Sequence, residues 1–283
     1  MKGDAFFMDM MKKPVPVTEE DKQKSYYKYY EREAAKIAPE KMGKVFGPPI
    51  NAAAQLKFVD RAQILEPGFD SEVGYCAMED GTGYICDKTF IAGGTPEMVD
   101  WYYAWRGLDP LRYTILDPMN NISALSMQSV ITRDPDRTIQ EKYWDTTQEI
   151  KHPGMMGPFG PPKIDYLSLK CPSSVGFDMA KIGGDNETKT LICGRNFAEG
   201  QPPTAAPDYF ICSQVKEVEG GVEVTTRAWY GWTVMYGNNF KSLPDGFIMQ
   251  PMVAQELLAQ VAGEWANIAE ILPSLYAEEK DNL

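Results

Sequence analysis

The chain has 283 residues, of which 43% are hydrophobic, 24% charged and 12% aromatic, as in an ordered globular protein with a sizeable core. Its formal net charge of −12, without a large cluster of lysine and arginine, argues against binding to nucleic acid or to an anionic membrane surface. No apolar stretch approaches the roughly 20 residues that a membrane-spanning helix needs.

Cysteine usage and the terminal residues indicate the compartment. The five cysteines are odd in number, widely spaced and without a C-x-x-C pair, so we expect free thiols in a reducing cytoplasm. The first 13 residues are too short and too acidic for a secretory signal. No low-complexity linker divides the chain. We therefore predict an N-terminal helical extension over residues 1–45 and one catalytic or ligand-binding domain over residues 46–283.

The first part of the chain mixes helical and β-type patterns. Thr18 begins a T-x-x-D capping pattern, which predicts a polar surface helix over residues 19–38, with Gly-Pro-Pro at 47–49 as its end signal. Thr95 caps a second predicted helix over residues 96–106, which has a proline in its first turn. Short strands are predicted where β-type runs lie between proline, glycine and Asp-Gly turns, over residues 56–64, 72–77 and 84–91.

The second part of the chain is predicted to be mostly strands, over residues 125–132, 143–151, 164–169 and 188–192. Residues 209–218 and 222–235 flank a Glu-Gly-Gly turn and form the clearest hairpin in the sequence. The segment 152–162 is too rich in proline and glycine for regular structure, and both a pocket lid and a stiff connector fit it.

The last predicted element is an amphipathic helix over residues 252–272, which Pro273 is expected to end. Gln260 and Glu264 fall in or at the edge of its apolar stripe, whereas Asn267 is predicted on the polar side. An uncompensated buried carboxylate costs several kcal/mol, so Glu264 needs a cation, hydrogen-bond donors or a metal ion. Both a structural hydrogen-bonded pair and a functional site remain open. The stripe itself is formed by Val253, Leu257, Val261, Ile268 and Ile271.

His152 is the only histidine of the chain, so any imidazole chemistry depends on it. It ends an alternating run that places it on the strand face of Gln148 and Ile150, opposite Glu149 and Lys151. We therefore predict that the imidazole lies on the more enclosed side of the strand, either as a packed histidine or as a functional one.

Three blocks of the sequence carry a family resemblance. They are DWYYAWRGLDPLRY at 100–113, PMNN at 118–121, and the C-terminal helix from Gln260 to Tyr276. In order and spacing they resemble the phloretin hydrolase and 2,4-diacetylphloroglucinol hydrolase family, from about residue 45 to residue 276.

The resemblance implies an α+β helix-grip fold of the START and birch-pollen-allergen type, in which a curved antiparallel sheet surrounds a cavity and a long C-terminal helix covers it. It also implies a zinc ion held by two histidines and two glutamates, and hydrolysis of the carbon–carbon bond between an acyl group and a phloroglucinol-type ring. A homodimer and a small phenolic or polyketide substrate are further implications.

At the four ligand positions of the family this sequence has Asn121, His152, Gln260 and Glu264. One glutamate is kept, two histidines are replaced by amides, and the other glutamate is replaced by the only histidine. Such a set is weak for zinc, so a divalent ion (Zn, Mn or Fe) or none is expected. Without a metal, His152 and Glu264 are predicted to be the catalytic acid/base pair, oriented by Asn121 and Gln260.

The resemblance also assigns Tyr113 to the phenolic oxygens of a substrate. Tyr230 and Tyr236 are weaker substrate-binding candidates, by position only. Trp101 and Trp105 fit the wall of a cavity or the helix core. The predicted function is hydrolysis of an acyl–ring C–C bond. The alternatives are a metal-free isomerase, dehydratase or cyclase of a polyphenol or polyketide, and a non-catalytic binder of phenolic ligands.

Overall fold

The computed structural model describes residues 14–154, 157–158, 160–202, 204–205 and 207–283. The N-terminal residues judged unlike a signal, with the start of the predicted extension, lie outside this part of the chain. Three residues of the predicted lid or connector over 152–162 lie outside it as well.

Eight strands of the described chain form one antiparallel sheet in the order β1-β2-β8-β7-β6-β5-β4-β3. From β3 to β8 each strand pairs with the next along the chain, and β2 pairs with β8 from Gly83↔Tyr230 to Ala92↔Gly221. A separate two-stranded ribbon pairs β9 with β10. The strands are β1 Gly74–Ala77, β2 Gly83–Ala92, β3 Ser123–Ser126, β4 Thr147–His152, β5 Lys163–Lys170, β6 Thr188–Phe197, β7 Tyr209–Val218, β8 Gly221–Tyr230, β9 Trp232–Met235 and β10 Asn238–Lys241.

The longest helix, α6, runs for 29 residues and packs against β1, β2 and α3. No helix in the described ranges is both long and apolar enough to cross a membrane. The α-helices are α1 Lys28–Glu31, α2 Pro39–Val45, α3 Pro96–Trp105, α4 Pro110–Thr114, α5 Ser129–Thr132 and α6 Pro251–Glu279. Single turns of 3₁₀ helix lie at Asp21–Gln23, Ala52–Ala54, Arg106–Leu108, Pro172–Val175 and Met179–Lys181, and a longer one at Phe58–Leu65.

The sheet buries apolar side chains on both faces. Ile85 on β2 belongs to the main core, together with α3 and α6, whereas the adjacent Tyr84 belongs to a second cluster on the other face. The 3₁₀ helix Phe58–Leu65 covers that second cluster, where the Phe58 and Trp229 rings pack edge-on with their centroids 5.8 Å apart. One long helix against a large antiparallel sheet confirms the predicted helix-grip fold.

The predicted helix over residues 19–38 is wrong. Thr18 and Asp21 do form the capping box, with Asp21 N donating to Thr18 Oγ1 at 3.1 Å and Thr18 N to Asp21 Oδ2 at 2.8 Å. The helix then breaks into short pieces because Tyr26 and Tyr29 are drawn into the main core. Further on, Ala35 N donates to a side chain of α6 instead of to a carbonyl of its own helix.

Two predicted strands also differ from the structure. Residues 56–64 are mostly 3₁₀ helix, because Arg61 turns inward and donates through Nε to the Val175 carbonyl at 3.1 Å. Residues 125–132 hold only the end of β3, followed by α5, and the hydrogen bond from Met127 N to the Thr147 carbonyl continues the pairing with β4 by one residue. The predicted strand 143–151 begins only at Thr147.

Helix α6 does not end at Pro273 but continues to Glu279. Contacts beyond the proline hold the last turns in place: the Tyr276 hydroxyl donates to Glu97 Oε1 at 2.8 Å, and its ring lies edge-on to Trp101. Asn267, predicted on the polar side, is buried, because its amide bridges α6 to the Leu116 carbonyl at 2.7 Å and to the backbone of residue 35. Tertiary hydrogen bonds therefore override the helical pattern at both positions.

Candidate active site

A cavity of about 760 Å³ lies between α6 and one face of the sheet. Its size is in the usual range for a small-molecule site. Helix α6 borders it on one side, and β4 to β8 with the α3–α4 region border the other. Five of the predicted site residues border this single cavity: Tyr113, His152, Tyr230, Gln260 and Glu264.

Glu264 is held by a cluster of neutral donors. Its Oε1 accepts a hydrogen bond from the Tyr113 hydroxyl at 3.3 Å and another from Gln260 Nε2 at 3.2 Å. The Asn121 side chain is fully buried, and with its amide nitrogen turned toward its acceptor neighbours it donates to Glu264 Oε1 at 3.3 Å and to the Asn120 carbonyl at 3.3 Å. The structure therefore brings together three of the four ligand positions and the predicted substrate-binding tyrosine.

His152 ends β4 at the rim of the cavity, and its side chain is partly exposed. Pairing of β3 with β4 brings the turn before β3 beside it, so that His152 Nδ1 lies 2.9 Å from the Asn120 carbonyl. A carbonyl only accepts, so Nδ1 carries a proton, and in the neutral ring Nε2 offers its lone pair. The imidazole and Tyr113 ring centroids are 6.2 Å apart. On β4, Gln148 and Ile150 are buried as predicted for the face of His152.

The tyrosines of the cavity are neutral phenols. Burial, and then the negative charge of Glu264, raise the pKa of Tyr113 well above its usual value of 10.0. Burial likewise raises the pKa of Tyr230, which packs against Tyr209 with the ring centroids 4.9 Å apart. Tyr230 can donate a hydrogen bond to a ligand oxygen, whereas the Tyr113 hydroxyl donates to Glu264 and its oxygen can accept a hydrogen bond from a ligand hydroxyl. Tyr236, the other late-strand candidate, is 97% exposed in a turn after β9, so it is wrong as a cavity residue.

Some cavity residues were missed from the sequence. Arg106 and Tyr103 border the cavity and lie in the block that carries the resemblance, yet no role was assigned to either. The signal in the sequence was an arginine directly after an aromatic-rich helix, because a cation buried among aromatic side chains needs a partner and is therefore a candidate binding residue. Trp101 and Trp105 pack with each other in the helix core, with ring centroids 5.0 Å apart.

The donor set does not fit the zinc centre that the resemblance implies. The four positions supply one imidazole, one carboxylate and two amides, and the amide nitrogens of Gln260 and Asn121 turn toward Glu264. Among the described residues no group of three or more His, Cys, Asp or Glu side chains is arranged to hold a metal ion. Zinc favours imidazole, thiolate and carboxylate over amides, so these four side chains do not suit that ion.

Comparison with known proteins identifies the family. The family model described as the DAPG hydrolase PhiG domain matches residues 56–277. The chain belongs to this family. Phloretin hydrolase of Eubacterium ramulus is 34% identical over 273 residues, which cover 94% of this chain and 94% of that protein. A 2,4-diacetylphloroglucinol hydrolase of a Pseudomonas species is 24% identical over 242 residues, 77% of this chain and 76% of that protein.

The resemblance drawn from the three sequence blocks is thereby confirmed, whereas the roles of the individual site residues stay predictions. Among solved structures, the crystal structure of Ara h 8.0201 matches with a TM-score of 0.44 at 10% identity, over 69% of this chain and 99% of that one.

Proposed function

We propose that this member of the DAPG hydrolase PhiG family hydrolyses the C–C bond between an acyl group and a phenolic ring of the phloroglucinol type. The observation that carries the proposal is the single cavity that His152, Glu264 and Tyr113 border together. Its volume of about 760 Å³ suits an acylphenol, and relatives named for phloretin and 2,4-diacetylphloroglucinol support the substrate class.

The reaction needs two proton movements, because water must lose a proton as it attacks the acyl carbonyl and the ring carbon must gain one as the bond breaks. We assign both movements to His152. Its Nδ1 is held by the Asn120 carbonyl, which leaves Nε2 to take the proton from water and return it to the ring carbon. The carbonyl carbon becomes a carboxylic acid, the ring carbon becomes C–H, and one water is consumed.

Glu264 has a different role in this proposal, since a carboxylate cannot supply the proton that the ring carbon requires. It accepts a hydrogen bond from the attacking water and stabilises the imidazolium that exists between the two proton transfers. The donors Tyr113, Gln260 and Asn121 fix the position of the carboxylate through Oε1. Tyr113 additionally faces the cavity, where its hydroxyl can meet an oxygen of the substrate.

The experiment is incubation of the purified protein with phloretin-like acylphenols in ¹⁸O-labelled water, with products followed by mass spectrometry. Hydrolysis gives the deacylated phenol and an acid that carries one labelled oxygen from the attacking water. A product of unchanged mass would instead indicate an isomerase or cyclase, and loss of water a dehydratase. Changes in ligand absorbance without a product would indicate a binder. Each of these three results contradicts the proposal.

The matched variants are Glu264→Gln and Glu270→Gln, two substitutions on the same helix. Glu270 is exposed and pairs with Arg32 on the outer side of α6, so Glu270→Gln is expected to keep its turnover. Elemental analysis of the same preparations tests whether zinc, manganese or iron is bound.

Several sequence predictions stay predictions. The cytoplasmic location is supported by five free cysteines, four of them buried. The homodimer and the division of the chain at residue 46 are to be tested by light scattering and by truncation.

A further inference from the structure

Arg106 is a buried cation at the start of a short turn. It begins the 3₁₀ turn after α3 and is 5% exposed. Nε donates to Gln148 Oε1 at 3.0 Å, and Nη1 donates to the Tyr102 hydroxyl at 3.3 Å. Within the part of the chain that the structure describes, Gln148 and Tyr102 are the side chains that accept hydrogen bonds from the guanidinium, and no Asp or Glu forms an ion pair with it. A desolvated charge of this kind is costly unless something pairs with it.

The surroundings of Arg106 compensate its charge only in part. The guanidinium carbon lies 4.3 Å from the Tyr103 ring centroid, 5.3 Å from that of Tyr102 and 5.7 Å from that of Tyr113. Such cation–π contacts contribute about 0.5–2 kcal/mol each, less than the cost of removing the ion from water. The side chain is also fixed in place, since its partner Gln148 is itself held by a hydrogen bond to the Tyr103 carbonyl at 3.1 Å.

Arg106 borders the same cavity as Tyr113 and Glu264. The hydroxyl of Tyr113 reaches Glu264, and its ring lies beside Arg106, so the tyrosine separates the positive group from the negative one. A ligand in the cavity therefore meets the fixed, positively charged guanidinium of Arg106 at one position and the carboxylate of Glu264 at another. A hydrogen bond from a guanidinium group to an ionised oxygen is charge-assisted, and a guanidinium held in place also fixes the direction from which that oxygen approaches.

We propose that Arg106 binds an ionised ring oxygen of the substrate, so that the acylphenol is held as its phenolate. The assignment rests on the proposed function. A negative ring oxygen raises the electron density at the acyl-bearing ring carbon, which then accepts the proton from His152 more readily. The same contact stabilises the ring as it leaves the acyl carbon with the bonding electron pair. Atoms and charge balance without an oxidant or reductant.

The test uses 4-nitrophenol, whose nitro group takes the place of the acyl group and cannot be hydrolysed. Nitrophenolate absorbs visible light, so its ionised fraction is read directly at a pH below the pKa of the free phenol. The wild-type protein is expected to increase the nitrophenolate absorbance above that of the free probe. Arg106→Met is expected to give the absorbance of the free probe, and Arg106→Lys to give part of the wild-type increase. Arg137→Met, which removes an exposed arginine paired with Asp134, is the matched control and is expected to behave as the wild type.

A second measurement needs no variant. At a pH where the probe is ionised, wild-type protein is expected to bind nitrophenolate at least tenfold more tightly than 4-nitroanisole, its neutral methyl ether, a difference of about 1.4 kcal/mol. Equal affinities, or binding of the neutral phenol only, overturn the assignment.

The two proposals fail in different ways. Hydrolysis of acylphenols with no ionisation of bound nitrophenol refutes the role of Arg106 and leaves the proposed function standing. Ionisation that depends on Arg106 without any hydrolysis supports the anion site and refutes the proposed function.

Discussion

Replacement of Asp100 by Asn tests how the structure supports the helix that leads into the cavity. Asp100 lies on α3 and is 1% exposed. Its Oδ1 accepts hydrogen bonds from the Tyr143 hydroxyl at 2.8 Å and from Thr190 Oγ1 at 2.7 Å, and its Oδ2 accepts one from Gln140 Nε2 at 2.6 Å. These contacts anchor α3, and therefore Tyr103, to β6 and to the segment before β4. Asn keeps the shape and, once the Gln140 amide rotates, the three hydrogen bonds.

Burial raises the pKa of Asp100 from 3.8 to about 6, against the effect of the three hydrogen bonds. A shift of this size corresponds to about 3 kcal/mol, since each pKa unit is worth about 1.4 kcal/mol. The folded pKa is the higher one, so the stability contribution of this group is complete below pH 3.8 and is lost as the pH rises through about 6. The Asn side chain is neutral at every pH, so its contribution to stability does not change over this range.

The assay is urea unfolding of the wild type and of Asp100→Asn at several values between about pH 4 and pH 7.5. The free energy of unfolding of the variant, relative to the wild type, is expected to rise by about 3 kcal/mol across this range. Asp136→Asn, which alters an exposed carboxylate, is the control, and its free energy of unfolding is expected to change with pH as that of the wild type does. A difference that stays constant with pH, or one that favours the wild type as the pH rises, would show that folding does not raise the pKa of Asp100.

Three further predictions concern the site and its support. His152→Ala and Glu264→Gln are each expected to lower kcat by about 10²–10⁴-fold with an unchanged circular dichroism spectrum, because the first removes the acid/base group and the second removes the carboxylate that holds the attacking water and stabilises the imidazolium; full activity in either variant removes that residue from the mechanism. Tyr113→Phe is expected to raise KM by roughly 3–10-fold through loss of one hydrogen bond to the substrate, and unchanged kinetics would show that the tyrosine does not bind it. Asn267→Leu is expected to lower the free energy of unfolding by about 3 kcal/mol or more, because loss of the four hydrogen bonds of Asn267 leaves buried backbone groups unpaired. A decrease below about 1 kcal/mol in a denaturant titration would contradict this.

The clearest hairpin of the sequence was predicted well because the pairing of its two strands is local. The hairpin of β7 and β8 matches residues 209–218 and the start of 222–235, because a Glu-Gly-Gly turn fixes its register over period-2 alternation. The predicted second strand nevertheless breaks at Gly231, whose φ is +76° and whose Cβ would come within 2.4 Å of Leu243. That close approach is a tertiary feature, which periodicity does not contain.

The site was predictable where a residue stood out from its own pattern. Glu264 is polar within an apolar helical stripe and His152 is unique, and both border the cavity. Asn267 was misplaced because its partners lie more than 150 residues earlier in the chain. Arg106 was passed over because burial depends on the whole fold. An arginine beside aromatic residues gives no sign in the sequence of whether a carboxylate will meet it.

The most direct measurement is a crystal structure with a phloretin-like acylphenol whose ketone has been reduced to an alcohol, so that water cannot cleave it. The analogue is expected to lie in the cavity between α6 and the sheet, with its alcohol oxygen within hydrogen-bonding distance of His152 Nε2 or the Glu264 carboxylate. An analogue bound elsewhere, or one bound in the cavity with that oxygen beyond the reach of both side chains, would contradict it.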